Sequence, residues 1–273
     1  MRDDIILCRT SLNRTTENIM LKKLFNVNKA TKKKKLMDIV QRGYSLETHV
    51  HTSESSLCAH ASGREIAQFY KGLGYSGVIV TDHFFNGNTA IPPHFPWEER
   101  VRLFCRGYEH AADEGARIGL DIFFGWEYGY DGTEFLTIGL DKNWLLNHPD
   151  VLNWGVEDYL TRVRADGALV IHAHPFREAS YIRSLRLFPN HVDAVEAINS
   201  RNENFAQDIK AFDYAKKHGL LLTSGSDTHD TQTLPGGGMI FENRPHSVSA
   251  LMDMIRNDRS VRLIGMERIE SGK

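Results

Sequence analysis

The stretch "SLETHVHTSESS" (residues 45–56) gives the first indication of the fold. In an extended strand, residues two apart point to the same side, so Glu47, His49 and His51 are expected to share one face. A buried strand ordinarily carries Val or Ile at such positions. We therefore expect this strand to end at a polar site rather than in an apolar core.

Strand and helix patterns alternate downstream of this stretch. Ser62 and Glu65 have capping-box spacing at the start of an amphipathic segment, and "GVIVTDH" then indicates a short buried strand. The alternation recurs about seven times before the last predicted helix, "SVSALMDMIRND". It predicts an α/β fold with a mostly parallel sheet, either open or closed into a barrel.

The charge is distributed unevenly along the 273 residues, although 41% hydrophobic and 25% charged residues are typical of a globular protein. Residues 1–42 hold 11 Lys and Arg against 4 Asp and Glu, a formal +7, and the whole chain carries -2, which leaves -9 for the rest. We predict a basic, poorly ordered N-terminal extension over 1–42 and a catalytic domain over 43–273. The extension is expected to contain a helix over Thr16–Phe25 and a solvated run over Lys29–Lys35.

The cysteine content indicates a reducing compartment. Cys8, Cys58 and Cys105 are too few and too scattered for a disulfide framework. No apolar stretch approaches the roughly 20 residues of a membrane span, and the N-terminus has no signal-peptide pattern. We expect a cytoplasmic protein without membrane association. The sequence does not indicate an oligomeric state.

Unusual polar residues follow the predicted strands in five places: "HVH", "TDH", "GWEYG", "HAHP" and "SDTH". In a (β/α) barrel the carboxyl ends of the strands converge on one face, where active sites are built. Imidazole and carboxylate groups are ligands for Zn, Mn or Fe. The number of such residues is larger than one tetrahedral ion can bind. The predicted ligands of two or three metals are His49, His51, His83, Glu127, His174, Asp227 and His229.

The ordered motifs "HVHTSESS", "VTDHF", "GWEYG", "AHPFR" and "GSDTHD" resemble those of the PHP (polymerase and histidinol phosphatase) superfamily of metal-dependent phosphoesterases. The resemblance extends from Leu46 to about Phe241. It implies a distorted, TIM-like (β/α)7 barrel with two or three divalent ions (Mn, Zn or Fe, with Mg also possible) at the strand ends. It also implies the same seven ligands, with Glu127 bridging two ions.

The chain departs from the family pattern in three places. Glu47 stands where the family often has Asp, and we expect it to be structural. The family also has an Asp or His shortly after its second His. Here Glu54 is the expected substitute, with His60 as the alternative. Glu134 stands where the family commonly has His, and a carboxylate there favours Mn or Mg over Zn.

The resemblance implies hydrolysis of a small phosphomonoester, such as a sugar phosphate, histidinol phosphate or a nucleotide, by a metal-bridged hydroxide. Three residues are expected to act in catalysis: Arg177, His229 and Asp82. Three are expected to bind substrate: Arg177, Asn199 and Arg201.

The expected roles of these residues differ. Arg177 is expected to form a bidentate clamp on phosphate. His229 or His172 is expected to protonate the leaving oxygen unless it binds metal. His172 is expected on the same face as His174, where the favoured role is to orient a metal ligand. Asp82 is expected to orient His83.

Two other function classes remain open. Amidohydrolases also begin with a His-x-His strand in a TIM-type barrel, but they usually end with an unpaired Asp and carry a strand-end Lys, which this chain lacks. A non-catalytic PHP-like module could instead bind nucleic acid through the basic residues 1–42. The net negative charge of residues 43–273 argues against an extended nucleic-acid-binding surface, so a small phosphorylated substrate is the favoured partner.

Overall fold

The computed structural model describes residues 29–270, so the predicted helix over Thr16–Phe25 lies outside the described residues. Two units meet at the boundary between Ile39 and Val40. Residues 29–40 are helical (α1), and the side chains of the run Lys29–Lys35 are exposed. The division into a basic extension and a catalytic domain stays a prediction.

One continuous sheet runs through the second unit, with the hydrogen-bonded strand order β7-β6-β5-β4-β3-β2-β1-β8-β9. Its strands are β1 (Tyr44–Val50), β2 (Gly77–Val80), β3 (Asp121–Tyr130), β4 (Thr133–Ile138), β5 (Leu169–Ala173), β6 (Ala194–Asn199), β7 (Leu221–Gly225), β8 (Met239–Phe241) and β9 (Arg262–Leu263).

Helices connect most of these strands. They are α2 (Gly63–Leu73), α3 (Trp97–Phe104), α4 (Arg106–Ile118), α5 (Lys142–Asn147), α6 (Val156–Ala165), α7 (Phe205–His218), α8 (Val248–Asn257) and α9 (Glu267–Glu270). The capping box predicted for α2 is present, because Ser62 and Glu65 bond each other's backbone N–H groups. Among the described residues, no helix is long and apolar enough to cross a membrane.

The sheet curls into a nearly closed barrel. Strands β1, β2 and β3 pair in parallel, as do β5, β6 and β7. The segment after β7 returns to the end of β1, where the N–H of His51 donates to the carbonyl of Thr228 at 2.9 Å. The predicted α/β, TIM-like barrel is therefore confirmed. The strand count differs from a (β/α)7 barrel, because β8 and β9 extend the sheet beyond β1.

Strand β4 is antiparallel to both of its neighbours. It follows β3 through a two-residue turn at Asp131 and Gly132, which have φ values of 49° and 82°. Two consecutive positive φ values are typical of the hairpin turns that match the twist of the flanking strands. Because β4 runs backwards, its first residues lie at the edge where β3 ends. Glu134 therefore pairs with Gly129 at the barrel mouth.

The barrel strands are buried on both faces, as shown by alternate residues of β5. Leu169 and Ile171 pack in an apolar cluster with residues of β4 and α8. Val170 belongs to a second cluster, rich in aromatic side chains from β3, α3 and α6. The two layers leave the carboxyl ends of the parallel strands free to carry polar residues.

Candidate metal centre

Glu127, in β3, lies at the centre of a cluster of histidines. Its carboxylate oxygens lie 2.9 Å from Nδ1 of His83, 3.1 Å from Nε2 of His49, 3.2 Å from Nε2 of His174 and 3.4 Å from Nε2 of His51. Only 1% of the Glu127 surface is exposed. A single buried carboxylate therefore contacts imidazoles delivered by three other strand ends.

The remaining predicted strand-end residues join the same cluster. Oδ1 of Asp227 lies 3.3 Å from Nε2 of His51 and 3.4 Å from Nδ1 of His229. Four sets of three ligand atoms lie within 4.8 Å of one another: His51, His83 and His229; His49, His174 and Asp227; His49, His51 and Glu127; and His83, Glu127 and Glu134. The structure thus brings together all seven predicted strand-end residues and Glu134.

Two members of the cluster have left-handed backbone conformations. The φ angle is 27° at His174 and 54° at Asp227, a region that non-glycine residues seldom occupy. Such conformations cost about 1 to 3 kcal/mol and concentrate at functional sites. At both positions the backbone leaves the regular strand, and the side chain reaches the cluster.

The cluster shifts the pKa values of two histidines upward. Burial alone would lower the pKa of His49, but the carboxylates of Glu196, Glu127 and Asp227 outweigh burial and raise it. Burial also opposes the charged form of His83, yet Glu127 and other partners raise its pKa to about 11. The carboxylates therefore create a strong preference for positive charge at these positions.

Two other members respond in the opposite direction. Burial, together with the neighbouring His83 and His229, lowers the pKa of His51. Burial and repulsion from the Glu127 carboxylate raise the pKa of Glu134 to about 8. The pKa values of neighbouring residues in the cluster are therefore shifted in opposite directions.

The donors fit divalent metal ions. Nε2 of His49 lies 3.1 Å from Nε2 of His51, a spacing at which two nitrogen lone pairs can face one cation. Nδ1 of His83 is buried and lies 2.9 Å from Oε2 of Glu127, without the alignment of a regular hydrogen bond. Imidazole and carboxylate donors in one dry cluster are typical of Zn, Mn and Fe sites. Neither the identity nor the number of ions follows from the geometry.

Comparisons with known proteins bear on the fold. No family model matches the chain. The chain is 36% identical over 85 residues to an uncharacterized protein of Methanocaldococcus jannaschii, a match that covers 28% of the chain and 35% of that protein. The match thus spans about a third of the relative's length.

Two solved structures share the architecture at low sequence identity. One is a two-domain protein of Bacteroides vulgatus that contains a predicted PHP-like metal-dependent phosphoesterase (TM-score 0.59, 12% identity, 84% of this chain and 69% of that one). The other is a candidate metal-dependent phosphoesterase of Bifidobacterium adolescentis (TM-score 0.50, 17% identity, 79% of this chain and 97% of that one). The chain has the PHP-like fold. The resemblance drawn from the sequence motifs is thereby confirmed at the level of fold.

Glu196 is a site residue that the sequence analysis missed. It lies in β6 of the PHP-like barrel, and its Oε1 lies 3.0 Å from Nδ1 of His49. Its Oε2 accepts hydrogen bonds from the backbone N–H of His174 at 3.0 Å and from Nδ2 of Asn199 at 2.9 Å. Glu196 therefore orients one imidazole and fixes the backbone of a second. The sequence feature that could have identified Glu196 is a carboxylate in the middle of the apolar strand "AVEAIN".

Glu54, predicted as a ligand, is not brought to the cluster. Its Oε1 lies 2.8 Å from Nδ1 of His110 in α4, and its carboxylate accepts a hydrogen bond from the N–H of Gly63 at the start of α2. A carboxylate at a helix N-terminus is favoured by the helix dipole. The alternative, His60, is exposed, and its backbone N–H bonds the carbonyl of His229.

Asp82 orders the loop that follows β1. It accepts hydrogen bonds from the N–H and Oγ1 of Thr52, both at 2.6 Å, and from Oγ of Ser56 at 2.7 Å. Burial, opposed by these bonds, raises its pKa to about 6. None of the three donors belongs to an imidazole. Oγ of Ser56 also accepts a hydrogen bond from the backbone N–H of His83 at 3.0 Å. Asp82 therefore orders this loop and is linked to His83 through Ser56, and its catalytic role stays a prediction.

The side chain of His172 does not lie on the same face as His174, and that of Glu47 does not lie on the same face as His49 and His51. Both ring nitrogens of His172 are buried without a hydrogen-bond partner among the described residues, and its ring stacks on Phe135 at 5.0 Å. Burial lowers the pKa of His172 to about 3. The left-handed turn at His174 separates the two histidines, so His172 neither orients a ligand nor reaches a leaving group.

Glu47 is separated from the histidines by an irregularity in the register of β1 between Glu47 and Val50. Its carboxylate accepts hydrogen bonds from the N–H of Ser226 at 2.8 Å and from Oη of Tyr70 at 3.1 Å. It also accepts bonds from the N–H groups of Thr48 and His49. These contacts agree with the structural role predicted for it.

A cavity of about 520 Å³ opens above the cluster. It is lined by His83, Glu134, His229, Arg177 and Arg201, among others. Nη1 of Arg177 donates to Oδ2 of Asp227 at 2.7 Å, and its Nη2 is buried without a hydrogen-bond partner in the described chain. Asp227 therefore fixes the Arg177 guanidinium, and its Nη2 remains available to donate hydrogen bonds to a ligand.

The two other predicted substrate-binding residues differ. The side chain of Asn199 is fully buried, donates to Glu196 and accepts from the N–H of Arg201. It does not line the cavity, and its contact with substrate stays a prediction. Arg201 does line the cavity, with Nη1 lying 3.0 Å from Nδ1 of His229.

Cys58 is a second residue that the sequence analysis passed over. It lines the cavity beside His83 and His229. Burial would raise the pKa of its thiol, but hydrogen bonding to the imidazoles of His229 and His83 lowers that pKa to about 6. A half-buried thiol therefore stands at the edge of the cluster.

Proposed function

We propose that the chain is a metal-dependent phosphoesterase that hydrolyses a small phosphomonoester. The fold and the buried cluster fit a metal hydrolase. The observation that carries the finer proposal is the unused edge of the Arg177 guanidinium, which lines the same cavity as the cluster around Glu127. An anion-binding group beside a dinuclear or trinuclear centre fits the chemistry of phosphate esters.

Eight residues would hold the ions: His49, His51, His83, Glu127, Glu134, His174, Asp227 and His229. When bound, divalent ions lower the pKa of a water and neutralise charge on the phosphoryl oxygens. Glu127 contacts imidazoles of several sets, and this supports a bridging role. We propose that two or three ions of Zn, Mn or Fe bind here, with Mg as an alternative ion at the set of His83, Glu127 and Glu134.

Arg177 would bind the phosphate. Its Nη1 is held by Asp227 and its Nε by Oδ1 of Asn202 at 3.2 Å, so little side-chain entropy is lost when Nη2 donates to a phosphoryl oxygen. A hydrogen bond between charged groups contributes about 1.5 to 3 kcal/mol. Arg201, also at the cavity wall, adds a second positive charge.

The substrate is expected to be small. The cavity volume of about 520 Å³ falls within the range of pockets that enclose small molecules. Tyr130 and Tyr181 line the cavity with partly exposed rings, which suits a sugar, an imidazole or a nucleobase. A cytoplasmic location and the absence of a membrane partner remain part of the proposal.

A substrate screen tests the proposal. The protein loaded in turn with Mn, Zn, Fe or Mg would be assayed with p-nitrophenyl phosphate, sugar phosphates, histidinol phosphate and nucleotides, beside amide and lactone substrates. We expect phosphate release that is abolished by a chelator and by Glu127→Gln. Glu114→Gln alters another buried carboxylate, which pairs with Arg117 in α4 away from the cluster, and should retain activity.

Other outcomes point to the rival functions. Hydrolysis of amides or lactones without phosphate release would favour an amidohydrolase-type activity. No turnover with any substrate, together with a salt-sensitive DNA affinity that is lost on deleting residues 1–42, would favour a nucleic-acid-binding module.

A further inference from the structure

Arg177 is held by a second side chain besides Asp227. Its Nε donates to Oδ1 of Asn202 at 3.2 Å, while its Nη1 donates to Asp227 at 2.7 Å. The side chain of Asn202 is buried, and its backbone N–H donates to the carbonyl of Asn199 at 3.0 Å. Asn202 and Asp227 together therefore fix the direction in which Nη2 of Arg177 points.

Asp208, in α7, determines how the Asn202 amide is oriented. Nδ2 of Asn202 donates to Oδ1 of Asp208 at 2.8 Å. The Asp208 side chain is fully buried, and an ionised carboxylate can only accept hydrogen bonds. The NH₂ group of Asn202 must therefore face Asp208, which leaves the amide oxygen for Nε of Arg177. In the reverse orientation the NH₂ group would oppose the N–H donor of Arg177.

Arg268, in α9, supplies the positive charge beside this buried carboxylate. Nε of Arg268 donates to Oδ2 of Asp208 at 2.5 Å, and its Nη2 donates to the carbonyl of Asn202 at 2.9 Å. Its Cζ lies 4.5 Å from the centroid of the Phe205 ring. A buried carboxylate without a partner is costly. Arg268 therefore contacts both residues that lead from α9 to Arg177.

The segment before Arg268 is anchored to the barrel. Oγ of Ser224, in β7, donates to the carbonyl of Ile264 at 2.7 Å. Gly265 follows with a φ of 90°, and a Cβ at this position would lie 2.8 Å from a backbone carbonyl oxygen and 3.0 Å from Cγ2 of Ile198 in β6. The absence of a side chain at Gly265 thus lets the start of α9 approach the ends of these strands.

We propose that Arg268 is a positioning residue for phosphate binding, which acts through Asp208 and Asn202 on the guanidinium of Arg177. The inference rests on the proposed function, because it requires that Arg177 binds the phosphoryl group. Arg268 does not line the cavity, so it does not touch the substrate itself. Without its guanidinium, Asp208 loses its charged partner and the Asn202 amide is free to turn. Arg177 would then keep only one of the two contacts that orient it.

Isothermal titration calorimetry with inorganic phosphate tests the proposal without relying on turnover. The full-length, metal-loaded protein would be compared with Arg268→Gln, Arg268→Lys, Arg177→Gln and the double variant Arg177→Gln/Arg268→Gln. We expect Arg268→Gln to raise the Kd for phosphate about 3-fold to 10-fold, in line with coupling between members of one hydrogen-bond network. Arg268→Lys keeps the charge without the planar fork and should lie between the wild type and Arg268→Gln. The double variant should bind phosphate no more weakly than Arg177→Gln alone.

Arg244→Gln is the matched control. Arg244 also pairs with an aspartate, since its Nε donates to Oδ2 of Asp121 at 2.8 Å. Asp121 begins β3, whereas the metal-binding cluster lies toward the other end of that strand. We expect Arg244→Gln to bind phosphate like the wild type. A purely structural Arg268 would lower the melting temperature on substitution without changing the Kd for phosphate.

The outcomes separate this proposal from the function on which it rests. Wild-type phosphate affinity in both Arg268 variants, or effects of Arg268→Gln and Arg177→Gln that add in the double variant, would overturn the role of Arg268 and leave that of Arg177 intact. Equal affinities for Arg177→Gln and the wild type, or no phosphate binding by the wild type, would overturn both. Far-ultraviolet circular dichroism would establish which variants are folded, and Arg268→Lys decides the question if Arg268→Gln is not.

Discussion

Glu196→Gln tests how the second layer of residues controls the metal centre. One carboxylate oxygen of Glu196 faces Nδ1 of His49, and the other accepts from the N–H of His174 and from Asn199. Glutamine keeps only one acceptor oxygen. If its NH₂ group faces His49, the imidazole proton must move to Nε2, the atom that lies 3.1 Å from Glu127. If the NH₂ group faces the other way, it opposes two donors.

Either orientation weakens metal binding. A protonated Nε2 cannot act as a ligand, and two opposed donors displace the backbone at His174. Removing such orienting partners typically costs 10-fold to 100-fold in metal affinity, which corresponds to about 1.4 to 2.7 kcal/mol. The loss should be smaller than that caused by replacing His49 itself, because all the ligands remain.

Competition with a chromophoric chelator would measure this loss. Zn²⁺ and Mn²⁺ affinities of the wild type and of Glu196→Gln would be compared, with Glu114→Gln as the control for loss of a buried carboxylate far from the cluster. We expect the control to bind metal like the wild type. Equal metal affinities for Glu196→Gln and the wild type would refute the orienting role of Glu196.

Three further predictions concern single residues. Arg177→Lys keeps the charge but cannot hold Asp227 and a phosphate together, so KM for p-nitrophenyl phosphate should rise about 10-fold to 100-fold; an unchanged KM contradicts phosphate binding by Arg177. Asp82→Asn leaves a donor of the β1 loop unmatched and should lower the free energy of unfolding by about 1 to 3 kcal/mol; denaturant titration would detect no change if the carboxylate were dispensable. Unfolded His172 titrates near 6.5 but its folded pKa is about 3, so stability falls as pH drops below 6.5, by about 2 kcal/mol at pH 5. His172→Leu should lack this loss of stability. If the difference in unfolding free energy between the variant and the wild type does not change with pH, the lowered pKa of His172 is contradicted.

Much of the centre could be predicted from the sequence, because the motifs stand at the ends of apolar runs. A run such as "ALVI" must be a buried strand, and the residues that follow it must emerge at one edge of a parallel sheet. His49, His174 and Asp227 were assigned in this way. The same reasoning predicted a mostly parallel sheet, open or closed, and the resemblance to the PHP superfamily implied the barrel.

The direction of β4 could not be predicted, because alternation of apolar residues is the same in parallel and antiparallel strands. The sequence therefore left Glu134 at the start of a strand without showing that this start lies at the barrel mouth. His172 was misplaced for a similar reason. The two-residue period holds only while a strand continues, and the left-handed φ at His174 ends it.

Loop residues escaped prediction more completely. Glu54, Cys58 and His60 lie within a few residues of one another, and nothing periodic distinguishes them. Backbone hydrogen bonds between this loop and residues remote in sequence, such as Asn88 and His229, decide which side chain faces the cluster. Glu196 did leave a signal, since a carboxylate in the middle of an apolar strand must find buried partners.

The metal content of the protein purified without chelator, measured by elemental analysis beside Glu127→Gln, tests the central claim most directly. The account predicts two or three equivalents of Zn, Mn or Fe in the wild type and a clear loss in the variant, whose altered side chain contacts four of the histidines. Less than one equivalent in the wild type, even after reconstitution with each metal in turn, would contradict it.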